Sequence, residues 1–276
     1  MGRRSFYGGF LHDDQPERRV LKIGTRGSPL ALIQAELTRA ALLAAHPSLV
    51  AGEVEIVPIK TTGDSVQDRT LAAIGGKGLF TKEIEEALRD GRIDLAVHSM
   101  KDMPTVLPEG LEIGAMLERE DARDALISPV ADSIAALPQG AVVGTASLRR
   151  QAQVLLLRPD LDIRPLRGNV GTRLDKLARG EAAATLLALA GLKRLGKATA
   201  ATAVLGIDEM LPAVAQGAIG IERRIDDARM SALLSAIDHA PTTIAVAAER
   251  AMLAVLDGSC RPPIAGHARL RRTAKP

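Results

Sequence analysis

The sequence is poor in cysteine and in aromatic side chains: its 276 residues include one cysteine, no tryptophan, one tyrosine and three phenylalanines. A single cysteine excludes an intramolecular disulfide and favours a reducing compartment, so we expect a cytoplasmic location. Three of the four aromatic residues fall within the first ten positions, which leaves the core to aliphatic side chains. Proteins that bind nucleic acid by base stacking need exposed aromatic rings, and we therefore expect no nucleic-acid partner.

Long apolar runs are absent as well. No apolar stretch reaches the roughly 20 residues of a membrane-spanning helix, and the polar N-terminus lacks the apolar region of a secretory signal. We therefore expect no membrane contact and interpret residues 1–19 as a mobile extension. The five histidines are scattered, without cysteine or histidine neighbours at metal-ligand spacing, so no metal site is predicted.

The sequence does contain short β-branched runs that alternate with longer helical patterns, which favours α/β domains with parallel sheets covered by helices. Strands are predicted at residues 20–24, 54–59, 93–97, 141–144, 162–165 and 183–187. Helices are predicted at 29–45, 80–89, 148–157, 172–179, 230–239 and 244–256, followed by a strand-like run at 264–270.

The two halves of the chain open alike. Residues 23–30 and 143–150 both run from a strand through Gly-Thr to a serine that can cap the following helix. This echo predicts two similar lobes around a cleft, with the chain crossing between them near 117–124 and 210–220. We accordingly predict domain 1 at 20–117 with 218–236, domain 2 at 118–217, and a small domain 3 at 237–276.

Four loops place Arg or Lys beside Gly, Ser or Thr where a strand leads into a helix: 25–28, 75–78, 147–150 and 167–173. Helix N-termini favour anions, and arginine pairs with carboxylates through two parallel hydrogen bonds. Four such loops in one chain predict a ligand with several negative charges. The loop at 75–78 lacks the spacing and the Lys-Ser/Thr ending of a phosphate-binding P-loop.

Asp102 lies in the most distinctive segment, residues 94–104, which runs from a buried strand into a polar tip closed by Pro104. In an arginine-lined cleft, its carboxylate would stabilise a cationic intermediate or transfer a proton. An equally good interpretation is that Asp102 pairs with Lys101 or caps a turn.

Cys260 leaves two interpretations open in the same way. A lone cysteine is usually a small, inert hydrophobic residue. This one lies in a Gly-Ser-Cys-Arg-Pro-Pro turn, where Arg261 would favour the thiolate.

Several segments together resemble the porphobilinogen deaminase family. The residues that carry the resemblance are Val97-His98-Ser99-Met100-Lys101-Asp102-Met103-Pro104 and the segments 75–80, 147–151, 166–173, 212–217, 248–250 and 258–260. The similarity runs in order from about Leu21 to about Ala268, and the chain is identified as a member of that family.

The resemblance implies an α/β fold of two doubly wound domains similar to periplasmic binding proteins, with a small third α/β domain. It implies a transferase that joins four porphobilinogen molecules into hydroxymethylbilane, with release of ammonia, in tetrapyrrole biosynthesis. A dipyrromethane cofactor would be attached to Cys260 by a thioether, and Asp102 would be the catalytic carboxylate that stabilises charge on the pyrrole nitrogen. The product would pass to uroporphyrinogen-III synthase, and the enzyme would be a monomer.

Further ligands are carried over by position. The cofactor-binding residues implied are Lys77, Ser99, Asp102, Thr145, Ser147, Arg149, Arg150, Arg173 and Gly191. The substrate-binding residues implied are Arg26, Ser28, Arg149, Arg173 and Gln216. Lys101, Arg167 and Arg194 are weaker matches.

The chain departs from the family pattern at two places. Members usually continue for some tens of residues beyond the cysteine, so a truncated domain 3 with an incompletely covered helix 244–256 is expected here. Ala73 stands where some relatives carry a basic residue. The competing hypotheses are a truncated, inactive deaminase, a non-catalytic two-lobe module that binds polyanions, and a phosphate-ligand transferase. The absent P-loop argues against the transferase.

Overall fold

A computed structural model describes residues 20–65, 81–256 and 263–271, and the structural statements below concern these residues. The strands of this part of the chain are β1 (Leu21–Arg26), β2 (Val54–Ile59), β3 (Leu95–Ser99), β4 (Leu111–Met116), β5 (Asp124–Ile127), β6 (Val142–Gly144), β7 (Asp162–Arg164), β8 (Ala184–Ala188), β9 (Ala203–Val204) and β10 (Ile219–Arg224). The α-helices are α1 (Pro29–Ala45), α2 (Thr62–Ser65), α3 (Lys82–Arg89), α4 (Leu148–Leu157), α5 (Val170–Ala178), α6 (Leu189–Arg194), α7 (Ala228–Ser235) and α8 (Ala240–Val255).

The strands form two five-stranded sheets of matching topology. Lobe 1 contains the sheet β2-β1-β3-β10-β4, and lobe 2 contains the sheet β7-β6-β8-β5-β9. In each sheet, four strands run in the same direction, and the strand that enters from the other lobe runs antiparallel to its neighbours: β10 in lobe 1 and β5 in lobe 2. The predicted α/β class with two similar lobes is confirmed. The predicted parallel arrangement holds for four strands of each sheet. The fifth runs antiparallel, because it arrives from the neighbouring lobe and no crossover helix within the sheet precedes it.

The shared strand-to-helix turn accounts for the similarity of the two halves. A Cβ at Gly24 would overlap Ile93 Cδ1, and a Cβ at Gly144 would lie 2.8 Å from Leu166 Cβ. Both glycines therefore allow a neighbouring side chain to pack directly against the strand. Serine caps the next helix in both lobes, since Ser28 Oγ accepts from Ala31 N and Ser147 Oγ accepts from Arg150 N, each at 3.4 Å.

Aliphatic side chains form the core of each lobe. Lobe 1 buries a cluster that includes Leu21, Leu95 and Ile221, and lobe 2 buries one that includes Leu126 and Leu186. Burial of each such side chain stabilises the fold by about 1.5–3 kcal/mol. In this part of the chain, no helix is both long and apolar enough to cross a bilayer.

The two crossings between the lobes lie side by side. Leu117 N donates to Ile219 O, and Glu120 N donates to Gly217 O, each at 3.2 Å. Gly217 has a φ of 90°, and a Cβ there would overlap Glu120 O on the opposite crossing. The close approach of the two crossings therefore requires glycine at this position.

Helix α8 is fastened to both crossings through the buried carboxylate of Glu249. Arg119 donates from Nη1 to Oε1 at 2.6 Å and from Nη2 to Oε2 at 3.1 Å. The amide of Ala215 on the second crossing donates to Oε2 at 2.6 Å. One side chain of α8 thus joins the C-terminal region to the segments that connect the lobes.

Residues 263–271 contact the same region without forming a strand. Gly266 N donates to Pro212 O at 3.0 Å, and Ala268 N donates to Glu249 Oε1 at 2.8 Å. The predicted strand at 264–270 is therefore wrong, because its amide groups bond to a side chain and to a loop carbonyl. The boundaries of the three predicted domains stay a prediction.

We expect Gly217→Ala to lower the free energy of unfolding by about 2 kcal/mol or more, because it combines a strained φ with overlap of a backbone carbonyl. Urea unfolding followed by circular dichroism would measure this change. Gly52→Ala is the matched control, since Gly52 has no atom within 4 Å of the added Cβ. Equal unfolding midpoints for the two variants would contradict the role assigned to Gly217.

Candidate functional site

The polar tip of β3 lies at the carboxyl edge of the lobe 1 sheet. Ser99 ends the strand, and its hydroxyl lies 2.9 Å from Gln34 Nε2 and 3.1 Å from Gln34 Oε1 on α1. A short 3₁₀ turn, Met100–Asp102, follows. Met100, the first residue of this turn, and Met103, which follows it, are both buried, so they anchor the two polar residues between them.

Asp102 borders a small cavity of about 70 Å³. The polar residues that line it are Arg26, Ser28, Gln34, His98, Ser99 and Asp102. The cavity thus joins the end of β1, the first turn of α1 and the tip of β3, at the positive end of the α1 dipole.

Positive charges from lobe 2 face this tip. Burial lowers the pKa of Lys101 to about 8; the nearby Asp102 opposes this shift, whereas Arg150 and Arg173 reinforce it. Burial also lowers the pKa of Arg173 to about 10, and repulsion from Arg150 contributes while Asp102 opposes it. These couplings place the 3₁₀ turn of lobe 1 and the first turns of α4 and α5 around one site. Arg173 remains a cation at neutral pH.

A fully buried carboxylate, Asp124, holds the arginines of α4. Its Oδ2 accepts from Arg149 Nη2 at 2.7 Å, and its Oδ1 accepts from Arg150 Nη2 at 2.7 Å. Gln216 Nε2, on the second crossing, also donates to Oδ1 at 2.9 Å. Burial alone would raise the pKa of Asp124, but the two guanidiniums outweigh it and lower the pKa to about 2.

Three buried polar atoms of this network have no partner among the residues that the structure describes: Arg149 Nε, Arg150 Nε and Gln216 Oε1. Leaving a buried polar group unpaired costs about 1–3 kcal/mol. Two of the atoms are donors that suit a carboxylate, and the third is an acceptor that suits an N–H group. The donor set therefore fits a ligand with both carboxylates and N–H groups, as a carboxylated pyrrole has.

Comparison with known proteins supports the same class of ligand. A family model described as "Porphobilinogen deaminase, dipyromethane cofactor binding domain" matches residues 21–232. The chain belongs to the porphobilinogen deaminase family.

Individual members of the family match over most of the chain. The chloroplastic porphobilinogen deaminase of Oryza sativa subsp. japonica is 61% identical over 255 residues, which cover 92% of this chain and 71% of the relative. The porphobilinogen deaminase of Nitrobacter winogradskyi is 60% identical over 248 residues, which cover 90% of this chain and 78% of the relative. The porphobilinogen deaminase of Paracoccus denitrificans is 60% identical over 251 residues, which cover 91% of this chain and 80% of the relative.

Among solved structures, a nutrient-binding protein from Burkholderia cenocepacia bound to methionine is similar to this chain. The match has 15% sequence identity and a TM-score of 0.49, and it covers 78% of this chain and 90% of the other.

The structure brings together most of the residues that the deaminase resemblance implied. Arg26, Ser28, Ser99 and Asp102 border one cavity, and the charges of Lys101, Arg150 and Arg173 act on one another next to it. Arg149 and Gln216 meet at Asp124. Thr145 is buried in the loop before α4, where its hydroxyl accepts from Ser147 N at 3.2 Å. Cys260 and Lys77 lie outside the described residues.

Two further predicted residues lie at contacts between lobes or crossings. Gly191 in α6 lies against α1, where a Cβ would be 3.7 Å from Leu30 Cδ2. Arg194 Nη2 donates to Gly217 O at 2.7 Å. Arg167 lies in the loop between β7 and α5. Whether these residues bind a ligand stays a prediction.

Asp124 was not among the predicted site residues. In the sequence it belongs only to a predicted crossing between the lobes, because its partners lie 25, 26 and 92 positions further along the chain. The available signal was an aspartate at the start of the apolar run Ala125–Ile127. A buried carboxylate at such a position needs cationic partners.

The lowered pKa of Lys101 predicts a pH-dependent stability. The ordinary lysine pKa is 10.5 and that of Lys101 in the folded chain is about 8, so the folded state disfavours the ammonium. The penalty is fully present below pH 8 and is removed as the pH rises towards 10.5. Relative to Lys101→Met, the wild-type chain should gain up to about 1.4 kcal/mol of unfolding free energy per pH unit in that window. Urea titrations of both proteins across pH 7–10.5 would measure the difference, and a pH-independent difference would contradict the assigned pKa.

Proposed function

We propose that this chain is a porphobilinogen deaminase that condenses four porphobilinogen molecules into hydroxymethylbilane and releases ammonia, with Asp102 as the catalytic carboxylate. The observation that carries this proposal is the position of Asp102: it borders the cavity at the tip of β3 and lies within electrostatic range of Lys101 and Arg173. An anionic side chain thus lies among several cations, where a ligand with both N–H groups and carboxylates can bind in one orientation.

The cofactor of the family is dipyrromethane, which when bound supplies the free α-carbon to which the first substrate ring is joined. The unpartnered Nε atoms of Arg149 and Arg150 would donate to its acetate and propionate groups, and Gln216 Oε1 would accept from a pyrrole N–H. Lys77, Ser99, Thr145, Ser147, Arg173 and Gly191 are the further cofactor-binding residues that we propose. Cys260 is the proposed attachment point, by thioether.

Asp102 acts on the substrate through charge and hydrogen bonding. Loss of ammonia from the aminomethyl group leaves positive charge that is shared with the pyrrole nitrogen of porphobilinogen. A carboxylate held at that nitrogen accepts a hydrogen bond from the pyrrole N–H. It stabilises the cationic transition state more than the neutral ground state, which lowers the barrier. Lys101, the neighbouring residue, is a cation and is therefore suited to a substrate carboxylate. It would not compete with Asp102 for the pyrrole N–H group.

The other proposed substrate ligands lie in both lobes, so that each lobe can bind a carboxylate of the substrate. Arg26 and Ser28 lie on the lobe 1 side of the cavity, and Arg149 and Arg173 belong to the first turns of α4 and α5 in lobe 2. Guanidinium groups match carboxylates in charge and geometry, and Arg149 would contribute its unpartnered Nε. A substrate gripped from both lobes has its ring oriented towards Asp102, and orientation of reacting groups contributes strongly to rate.

Location, oligomeric state and partner follow as parts of the same proposal. The single cysteine suits the reducing cytoplasm, because a thioether attachment needs a free thiol. We propose a monomeric enzyme that passes hydroxymethylbilane to uroporphyrinogen-III synthase. Sedimentation of the purified chain with and without that synthase would test both points.

The intact mass of the denatured, purified protein tests the cofactor assignment. We expect the sequence mass plus two condensed pyrrole units, because a thioether survives denaturation. Cys260→Ser should have its bare sequence mass, since serine is a far weaker nucleophile than a thiolate. A pyrrole adduct on the serine variant would refute the attachment site, and a bare wild-type mass would indicate an unloaded, inactive chain.

Asp102→Asn should reduce the turnover of porphobilinogen by at least about 100-fold, while far-ultraviolet circular dichroism stays unchanged. The amide retains the shape of the side chain but lacks the charge that stabilises the cationic nitrogen. Asp90→Asn is the control, since Asp90 is exposed and pairs with Arg92. We expect this control to turn over porphobilinogen near the wild-type rate. A similar rate for Asp102→Asn would remove Asp102 from the mechanism.

A further inference from the structure

The carboxylate of Asp124 joins three of the proposed ligand-binding side chains. It is the first residue of β5 and has no solvent exposure. Its two oxygens accept from Arg149, Arg150 and Gln216. None of these bonds is needed to form β5, because the backbone pairing of Asp124 with Ala188 is independent of the side chain.

The arginines of α4 would be unfavourably placed without a negative partner. They are adjacent in sequence, almost fully buried, and lie in the first turn of a helix. The positive end of a helix dipole disfavours cations there, and two neighbouring guanidiniums repel each other. Asp124 offsets both effects and leaves the group of three with a net charge of +1.

The remaining bonds of each guanidinium determine its orientation. Arg149 Nη1 donates to Leu211 O at 2.6 Å, and Arg150 Nη1 donates to Leu186 O at 2.9 Å. Each guanidinium is thus held by one backbone carbonyl and by one oxygen of Asp124. Both Nη groups have a protein acceptor in each case, whereas Nε has none among the described residues.

Gln216 is oriented by the same carboxylate. Its Nε2 donates to Asp124 Oδ1 at 2.9 Å and to Ala122 O at 2.7 Å. Both donor hydrogens are thereby occupied, and the amide must present Oε1 as its free acceptor. Asp124 therefore fixes which atoms all three side chains offer.

We propose that Asp124 is a positioning residue, which orients the guanidiniums of Arg149 and Arg150 and the amide of Gln216 for the carboxylates and N–H groups of the pyrrole ligands. This inference rests on the proposed deaminase function. A residue that only fills space at the start of β5 is the alternative, and the two roles differ in which substitution they tolerate.

The test compares Asp124→Asn with Asp124→Glu. Asparagine keeps the volume of the side chain but loses its charge, whereas glutamate keeps the charge but adds a methylene group. Positioning by charge predicts that asparagine is the worse substitution: KM for porphobilinogen should rise about 30-fold or more. Glutamate should rescue it partly, to a rise of about three- to tenfold. A space-filling role predicts the reverse order.

The control is Asp160→Asn. Asp160 makes a two-bond pair with Arg158, immediately after the opposite end of α4, so its loss removes an Asp–Arg pair of the same kind away from the site. We would measure KM and kcat per loaded chain, the fraction of chains carrying cofactor by intact mass, and the urea midpoint. The control should retain wild-type KM and cofactor content, and Asp124→Asn should also lose cofactor content.

Each outcome of this comparison either supports or overturns the positioning role of Asp124. Wild-type KM and cofactor content in a folded Asp124→Asn protein, or glutamate as the worse substitution, would overturn the proposal. If Asp124→Asn does not fold, Asp124→Glu decides: a raised KM supports positioning, and an unchanged KM refutes it. Failure of both variants to fold would assign Asp124 a structural role and overturn the proposal. An inactive, unloaded wild-type chain would refute the deaminase function itself, whereas an active wild type with indifferent Asp124 variants would refute this inference alone.

Discussion

Four cations, Arg149, Arg150, Arg173 and Lys101, are gathered beside one cleft, and the protein must keep them there before any anionic ligand arrives. Burial and repulsion from neighbouring cations lower the pKa of Lys101 and Arg173, so the folded state disfavours their charged forms. The carboxylates of Asp102 and Asp124 oppose it from opposite sides of the cleft. Because they do not cancel the positive charge completely, the site retains an attraction for a polyanion and unpaired donors to bind it.

The lobes carry these groups on equivalent elements. In both, a strand ending in Gly-Thr leads to a serine-capped helix, so the first turns of α1 and α4 both present N–H groups at the carboxyl edges of their sheets. The two crossings lie close together at Gly217, and Glu249 of α8 bonds to both of them. Helix α8, which precedes Cys260 in sequence, is therefore bonded to both segments that connect the lobes.

Elements with strong local signals were predicted accurately. The bounds of α1 and α4 match the prediction, because Ser28 with Pro29 and Ser147 mark their first turns. Strand β3 begins two residues later than predicted, since the side chain of Asp94 accepts from Lys22 N and its segment belongs to the turn before the strand. Strands β4, β5, β9 and β10 were not predicted as strands. Their pairing joins segments about 100 residues apart in lobe 1 and at least about 60 apart in lobe 2, and no local pattern encodes such partners.

The sequence by itself determined the chemistry of the site: the anion-binding loops, the polar tip around Asp102 and the membership of a family with a pyrrole cofactor. These are properties of residue types at short spacing, which a linear pattern carries. Only the tertiary structure decided that β10 and β5 run antiparallel, that Glu249 fastens α8 to the crossings, and that Asp124 holds Arg149, Arg150 and Gln216. Each of these depends on side chains that are distant in sequence, and a buried charge acquires its partner only when the chain has folded around it.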